Sequence, residues 1–482
     1  MSAAFHVYNL GCKVNRVESD TIIARLVEWG AEFTSSDKAS VVILNSCAVT
    51  AEADAKTRKA ARRFAAAEQN PWVLVTGCSA ALHAEGLASL GARLIVEPNR
   101  VAALEKAILL MQNDALQVAA SENDAPQVAA SGNDVLRVDA LYSGAQQAVA
   151  PQNATPYSNA SKLKSQLKRA GENFNTRVGI KIHDGCDNRC SYCIVPTVRG
   201  FARSVAADEV LVEVKRHADA GTREFIFTGI NLGAYHDDSY GLVRLLRASL
   251  EQAPEARIRL SSLEPLDVTR ELLKCVADSK GRICAHLHLP LQSGSTRILK
   301  LMNRPYTSNH YEEIIQNARM VLPNLAITTD VIVGFPGETE KDFEETLALC
   351  ARAAFSKIHV FRYSKRPGTP AAAMHPQVSP VDKNQRAKNL IQLSEHLAEI
   401  DAASRVGTTE LVLFERAGRG TSESYHRVEI GGQSGAPYSS DTPYLSGAPY
   451  SPDTPCPSNT LYPPGALLPV RFVSHRAAIL LG

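Results

Sequence analysis

Residues 183–193 read HDGCDNRCSYC and carry three thiols, Cys186, Cys190 and Cys193, at spacings of four and three. A zinc site built on cysteine usually closes a tetrahedron with a second CxxC or a His pair. No such pair follows at a suitable spacing. An iron–sulfur cluster wants one thiolate per iron, so three thiolates leave one iron open to another ligand. The stretch follows directly on VGIKI, a strand-like run, and active sites of β/α barrels lie at the C-terminal ends of the strands. The plainer alternatives are a structural zinc loop or three unrelated thiols.

A second set is spread more widely. Cys12 follows HVYNL, Cys47 follows VVILN and Cys78 follows WVLVT. Ligands of an open parallel sheet gather at the carboxyl ends of its strands. Three cysteines at three successive strand ends would therefore converge there, although a single free cysteine is most often a buried thiol. A second three-thiolate cluster is the better account. Cys275, Cys284, Cys350 and Cys456 have neither spacing and read as structural.

The elements that must position these groups follow from hydrophobic patterning. In the first hundred residues HVYNL, VVILN, WVLVT and RLIVE read as buried strands. Between them ESDTIIARLVEW, stopped by Gly30, and AEADAKTRKAARRFAAAE read as helices. Alternation of this kind predicts an open parallel α/β sheet over 1–110. Residues 113–138, with the third copy running on to 142, repeat with a period of ten (NDALQVAASE, NDAPQVAASG, NDVLRVDALY), too short for a solenoid. With the small, polar stretch that follows, they predict a flexible linker over 111–170. From 171 to 405 six strand-like runs, VGIKI, EFIFTG, RIRLSS, AHLHLPL, AITTDVIVGF and SKIHVFRY, alternate with helical stretches and predict a partial (β/α) barrel. Residues 406–482 read as a small antiparallel β-barrel, interrupted at 434–457 by a duplicated Pro/Gly-rich insert (SGAPYSSDTPYL, SGAPYSPDTPCP).

Composition narrows the class without choosing it. In 482 residues, 45% hydrophobic and 21% charged, Lys plus Arg number 52 and Asp plus Glu 50, so a nucleic-acid surface would have to be a local patch. KTRKAARR (56–63) and KLKSQLKR (162–169) are two such patches, with a solvated helix face as the ordinary reading. No basic n-region with an apolar core opens the chain, and no apolar run is long enough to span a bilayer. The expectation is a cytoplasmic protein without a membrane segment, whose ten cysteines are ligands or buried thiols rather than disulfides.

CxxxCxxC opening a β/α barrel resembles the radical S-adenosylmethionine enzymes. Joined to three cysteines in the first domain and a terminal β-barrel, it is similar to the methylthiotransferase family within them. GCKVNRVESD (11–20), NSCAVTAEADAKTRK (45–59), TGC (76–78), HLHLPLQSGS (286–295) and TTDVIVGFPGET (328–339) carry the likeness. Lys13-Val14 after Cys12 looks like the branch acting on N6-threonylcarbamoyladenosine in tRNA. The resemblance implies two [4Fe-4S] clusters, one on Cys12, Cys47 and Cys78 and one on Cys186, Cys190 and Cys193. It implies S-adenosylmethionine on the open iron of the second cluster, cleaved there to an adenosyl radical. It further implies a terminal barrel of the TRAM type, the tRNA anticodon stem-loop as partner, and an electron donor protein. The product would be methylthiolated at C2 of the adenine next to the anticodon. That C–H bond is too weakly acidic for a side-chain base at neutral pH.

Other polar or glycine-rich strand ends are candidates for contacts to S-adenosylmethionine. They are Gly229 and Asn231 in TGINLG, Ser262 and Glu264 in LSSLEP, Gln292 in LQSGS and Gly334 in VGFPGET. Plain turns and helix caps are the alternative for each. In the terminal barrel Tyr425, His426 and Arg427 have the types that stack on and bond to RNA. The rival functions are methylthiolation of N6-isopentenyladenosine tRNA or of a ribosomal protein, and a non-catalytic, metal-stabilised RNA-binding protein.

Overall fold

The computed structural model describes residues 3–122, 176–238, 240–416, 418–430, 465–474 and 477–480. The chain divides into two compact units, Met1–Phe174 and Asn175–Gly482. The second and third repeat copies, the basic stretch 162–169, the insert 434–457 and Cys456 lie outside the described residues.

The first unit is a five-stranded parallel sheet: β1 (Ala4–Asn9), β2 (Glu32–Phe33), β3 (Val41–Ser46), β4 (Trp72–Gly77) and β5 (Leu94–Val96), in the order β2-β1-β3-β4-β5. Alternation along β3 splits the core in two. Val41 and Ile43 pack with Ile22, Ile23 and Leu26 of α1 (Lys13–Trp29) and Met111 of α5 (Arg100–Glu122). Val42 and Leu44 pack with Ala60, Ala61 and Phe64 of α2 (Ala51–Ala65). Two short helices, α3 (Cys78–Leu82) and α4 (Ala84–Ala88), follow β4. Gly30 ends α1 in the left-handed region (φ 110°), its N–H returning to the carbonyls of Leu26 and Val27. Helix α5 (Arg100–Glu122) runs further than the linker reading over 111–170 allowed. The first repeat copy, NDALQVAASE, is rich in helix-forming Ala, Leu and Gln and simply extends it.

The second unit begins with six parallel strands: β6 (Arg177–Lys181), β7 (Glu224–Thr228), β8 (Arg257–Leu260), β9 (His286–His288), β10 (Ala326–Val333) and β11 (Lys357–Arg362). They pair as β8-β7-β6 and β9-β10-β11. Parallel bridges Ile258–Ile283 and Ser262–His288 join the two groups into one curved sheet in sequence order. Helices α6 (Ala207–Asp219), α7 (Leu242–Gln252), α8 (Arg270–Asp278), α9 (Ser308–Val321), α10 (Glu340–Ala353) and α11 (Pro380–Ser404) cover its outer face. All six strand-like runs are strands at the expected places, so the α/β reading holds for this region.

The chain ends in a closed five-stranded barrel: β12 (Thr409–Arg416), β13 (Arg419–Ser422), β14 (Arg427–Ile430), β15 (Leu467–Phe472) and β16 (Ala477–Leu480). It is not wholly antiparallel, because β14 and β16 pair in parallel. Val412, Phe414, Val428, Val470 and Phe472 fill it.

The terminal barrel is fixed to the N-terminal ends of the curved sheet by buried charge. Glu224, fully buried, takes Arg257 Nε at 2.6 Å and Arg259 Nε at 3.0 Å. The same guanidiniums donate to carbonyls of β12 and β13 and the turn after them: Arg257 to Leu411 (2.6 Å) and Thr421 (2.9 Å), Arg259 to Ser422 (2.8 Å) and Glu423 (2.9 Å). Tyr425, expected to stack on RNA, lies at this junction, with the Arg259 guanidinium 4.6 Å from its ring and the His286 ring at 5.0 Å. His426 Nε2 sits 2.7 Å from Asp401 of α11. Aromatic character alone does not separate a residue that stacks on RNA from one that packs on its own chain.

Candidate active site

The cysteine loop of the second unit, 185–201, is pinched at its base. Cys186 N–H donates to the Gly200 carbonyl (3.1 Å), and His183–Asp184 pairs antiparallel with Arg203–Ser204. Gly185 has φ 70°, and a Cβ there would lie 1.9 Å from the Phe201 carbonyl oxygen, so only glycine closes the loop. Asp184 anchors it through Lys181 (3.2 Å), Arg199 (3.0 Å) and Arg203 (2.6 Å). Burial alone would raise the Asp184 carboxyl; Lys181 and Arg199 outweigh it and hold the group well below the usual carboxylate range.

Within this loop all three thiols are half-buried and free of disulfides. Burial pushes Cys186 up and Cys193 up to about 12, and the neighbouring thiols add to both. The thiolate is the form that ligates a metal, and a bound cation is what would favour it here. Donors are already aimed at sulfur. Val195 N–H points at Cys193 Sγ (3.4 Å), and Arg304 Nη1 donates to Cys190 Sγ (3.1 Å). Hydrogen bonds to sulfur are among the features that tune iron–sulfur clusters. The donor set therefore fits a three-thiolate cluster.

Arg304 was not singled out by sequence reasoning. It is buried, pairs through Nη2 with Glu264, and donates from Nε to the Tyr306 hydroxyl (3.0 Å). Neighbouring residues hold the cysteine loop as well. Ser191 N–H donates to the Met302 carbonyl (3.0 Å), Ser191 Oγ to that of Leu301 (2.8 Å), and Asn303 Nδ2 to that of Arg189 (2.8 Å). The segment LMNRPY (301–306) gave no hint of this, since a lone arginine beside proline has no spacing to read.

The other strand-end candidates divide. Glu264 is joined to the cysteine loop through Arg304. Asn231 Oδ1 accepts from Gly233 (3.1 Å) and Glu264 (3.4 Å) backbone N–H groups and so caps a short helical turn. Ser262 receives Leu232 N–H on its carbonyl (3.0 Å). Gln292 holds φ 67°, rare for a residue with a side chain, within the ladder to β10. Gly229 faces His183, whose Cβ would lie 2.9 Å from an added Cβ, and Gly334 (φ 72°) faces the Lys383 stem at 2.2 Å. Packing within the chain already requires these two glycines.

In the first unit the three cysteine-bearing strand ends are neighbours. β1, β3 and β4 are adjacent, with Asn9 opposite Asn45 and Ser46 opposite Gly77. Cys47 and Cys78 are each the next residue after a registered pair, and both are buried, while Cys12 is exposed as the N-cap of α1. Gly11 has φ 121°, and a Cβ there would lie 2.8 Å from Cys47 Cβ. Gly77 has φ 91°, and its Cβ would meet the Ser46 carbonyl oxygen at 2.6 Å. Both glycines bring one cysteine loop against the next. Asn15 ties them, donating from Nδ2 to the carbonyls of Leu10 (2.9 Å) and Ser46 (2.8 Å). Ser46 Oγ accepts from Ser79 and Ala80 N–H (3.1 and 3.2 Å) at the start of α3. Cys12 is the N-cap of α1 and Cys78 the first residue of α3. The placement fits a second three-thiolate site. Cys275 and Cys350 lie in the main apolar core and Cys284 is fully buried.

Residues 180–350 match the model of the radical SAM superfamily, and residues 4–96 that of the uncharacterized protein family UPF0004. The chain is 36% identical to the threonylcarbamoyladenosine tRNA methylthiotransferase MtaB of Bacillus subtilis (strain 168), over 88% of this chain and 86% of that protein. The chain belongs to the radical S-adenosylmethionine methylthiotransferase family. The protein of the same name from Thermotoga maritima is 32% identical, over 85% of this chain and 86% of that protein. At 32%, over 85% of this chain and 82% of the relative, stands a tRNA-2-methylthio-N(6)-dimethylallyladenosine synthase from Thermoanaerobacter pseudethanolicus. Radical methylthiotransferases are transferases that use S-adenosylmethionine and [4Fe-4S] clusters. Among the described residues no helix is long and apolar enough to cross a membrane.

Proposed function

We propose that this methylthiotransferase acts on tRNA, converting N6-threonylcarbamoyladenosine at position 37, beside the anticodon, to its 2-methylthio derivative, with two [4Fe-4S] clusters. The observation that carries it is the pair of cysteine triads, each at registered or pinched strand ends with glycines forcing close approach. Lys13-Val14 beside Cys12 and the 36% identity to the Bacillus protein favour the threonylcarbamoyl substrate.

In this reading Cys186, Cys190 and Cys193 hold the cluster that binds S-adenosylmethionine, and Cys12, Cys47 and Cys78 hold the one that serves sulfur transfer. The bound groups supply one-electron chemistry: a carbon–sulfur bond of S-adenosylmethionine breaks and an unactivated C–H bond becomes reactive. The chain supplies position and charge. Arg304 donates to Cys190 and offsets thiolate charge, Glu264 holds Arg304 in place, and Asp184 fixes the loop base. Gly229, Asn231, Ser262, Glu264, Gln292 and Gly334, at the strand ends, would border the cofactor. The exposed Lys59, Arg62 and Arg63 of α2 give a basic face for RNA phosphates. The terminal barrel, read as TRAM-like, adds further RNA contact, and a separate protein delivers the electron.

The test is nucleoside mass spectrometry of tRNA incubated with reconstituted protein, S-adenosylmethionine and a reductant. The 2-methylthio-N6-threonylcarbamoyl product is expected. Methylthiolation of isopentenyladenosine alone would transfer the chain to the other tRNA branch.

A further inference from the structure

Three side chains on the far strands of the curved sheet have no part in the chemistry above. His288 on β9, Asp330 on β10 and His359 on β11 bring one nitrogen or carboxylate atom each within 4.8 Å of the others. Alternation sets their direction. Leu287, Leu289, Ile327, Val331 and Ile358 pack in the core beneath the helices, and Thr329 Oγ1 lies 3.4 Å from the Tyr311 hydroxyl of α9. His288, Thr328, Asp330 and His359 therefore face the inner, concave side. Register aligns them: Asp330 stands opposite His359, and His288 opposite Thr328. His288 Nε2 is 3.3 Å from Asp330 Oδ2, and the two imidazole rings meet edge to face with centroids 5.7 Å apart.

Thr328 adds a second, independent feature. Its Oγ1 lies 3.0 Å from His288 Nδ1 and 3.1 Å from His286 Nε2, so it can accept from one and donate to the other. Metal-ligating histidines characteristically give their second ring N–H to such an outer partner. With Nδ1–H donating to Thr328, the His288 Nε2 lone pair faces the Asp330 carboxylate. In the other tautomer Nε2–H donates to Asp330 instead, so a bound cation is what selects the first arrangement.

We propose that His288, Asp330 and His359 form a divalent-cation site on the inner face of the barrel. Two imidazoles and one carboxylate on one side of an ion leave its remaining positions open, as in other two-histidine, one-carboxylate sites. The open positions take hard oxygen ligands such as carboxylate, hydroxyl or phosphate. The site shares no ligand with either cysteine triad, and its test does not depend on the tRNA reading.

Manganese(II) is the probe, because it prefers nitrogen and oxygen donors and does not compete for thiolates. Full-length, cluster-loaded protein is titrated anaerobically in excess Mg2+, with free Mn2+ read from its electron paramagnetic resonance signal. One Mn2+ per chain is expected, with affinity falling about tenfold or more in Asp330→Asn and in His359→Ala. Cluster absorption and melting temperature, unchanged in both, show that the variants are folded. Absence of saturable binding in the wild type overturns the proposal, whatever the variants do. So does equal binding in wild type and folded variants.

Discussion

Arg304 reaches across 114 residues of sequence to donate to the Cys190 sulfur, with Nη1–Sγ 3.1 Å. The guanidinium is buried, and Glu264 and Tyr306 fix its other nitrogens. A positive charge held on one cluster thiolate raises the cluster's reduction potential, since the reduced state carries the extra negative charge. Arg304→Met is predicted to lower that potential and slow cleavage of S-adenosylmethionine, with Arg304→Lys intermediate. It also leaves Glu264 without its partner, costing about 3 kcal/mol of stability. Redox titration followed by electron paramagnetic resonance checks the first effect and denaturant unfolding the second. An unchanged potential in folded Arg304→Met would remove the tuning role.

Gly11→Ala tests the approach of the first-unit loops. The added Cβ meets Cys47 in a left-handed backbone, a strain of order 1–3 kcal/mol. Iron in the variant is predicted to fall by about half while cleavage of S-adenosylmethionine persists. Iron analysis and quantification of 5′-deoxyadenosine on the same preparation give both numbers.

Cys190→Ala and Cys47→Ala should separate the two triads by function. The first is predicted to abolish cleavage of S-adenosylmethionine, and the second to spare cleavage and remove the methylthio product. Equal loss of both activities in folded Cys47→Ala protein would contradict the division.

Glu338 gives a pH signature. Burial raises its carboxyl to about 6, although Phe335 N–H (2.8 Å) and Arg386 (3.3 Å) oppose the rise. Between the unfolded value near 4.5 and about 6, the folded state binds the extra proton. Stability from this group is thus greatest below that window and falls as pH rises through it, by roughly 2 kcal/mol in all. Glu338→Gln keeps an acceptor for Phe335 N–H and should remove this decline. Melting temperatures from pH 4 to 7 on both proteins read it directly.

Glu224→Gln leaves Arg257 and Arg259 buried with a neutral partner where the terminal barrel is held. A loss of about 3–5 kcal/mol is predicted by denaturant unfolding. Burial would raise the Glu224 carboxyl, but Arg257, Arg259 and Arg177 hold it far below the usual range. Its contribution is therefore complete above the unfolded value and disappears only in strong acid.

The strands that carry cysteines were legible because each is a compact apolar, β-branched run with a chemically distinctive residue after it. β13 (RGTS) was not, having no apolar run, and the parallel pairing of β14 with β16 crosses an insert whose length hides it. The charged frame was equally hidden. Arg257 and Arg259 alternate in RIRL like any strand with one polar face, and Glu224 opens EFIF like a strand end. Only folding puts all three on the same buried side. Arg304 and Asp184 gave no spacing signal, because their partners lie on other elements. At Gly229 and Gly334 the packing of the chain itself also calls for glycine, which the sequence does not reveal.

The most direct test is iron and acid-labile sulfide per chain after anaerobic reconstitution, measured on wild type and on the triple alanine variant of Cys12, Cys47 and Cys78. About eight iron and eight sulfide in the wild type, falling to about four of each in the variant, is the predicted result. About four of each in the wild type, unchanged in the variant, would contradict a cluster in the first unit, and with it the two-cluster methylthiolation proposed here.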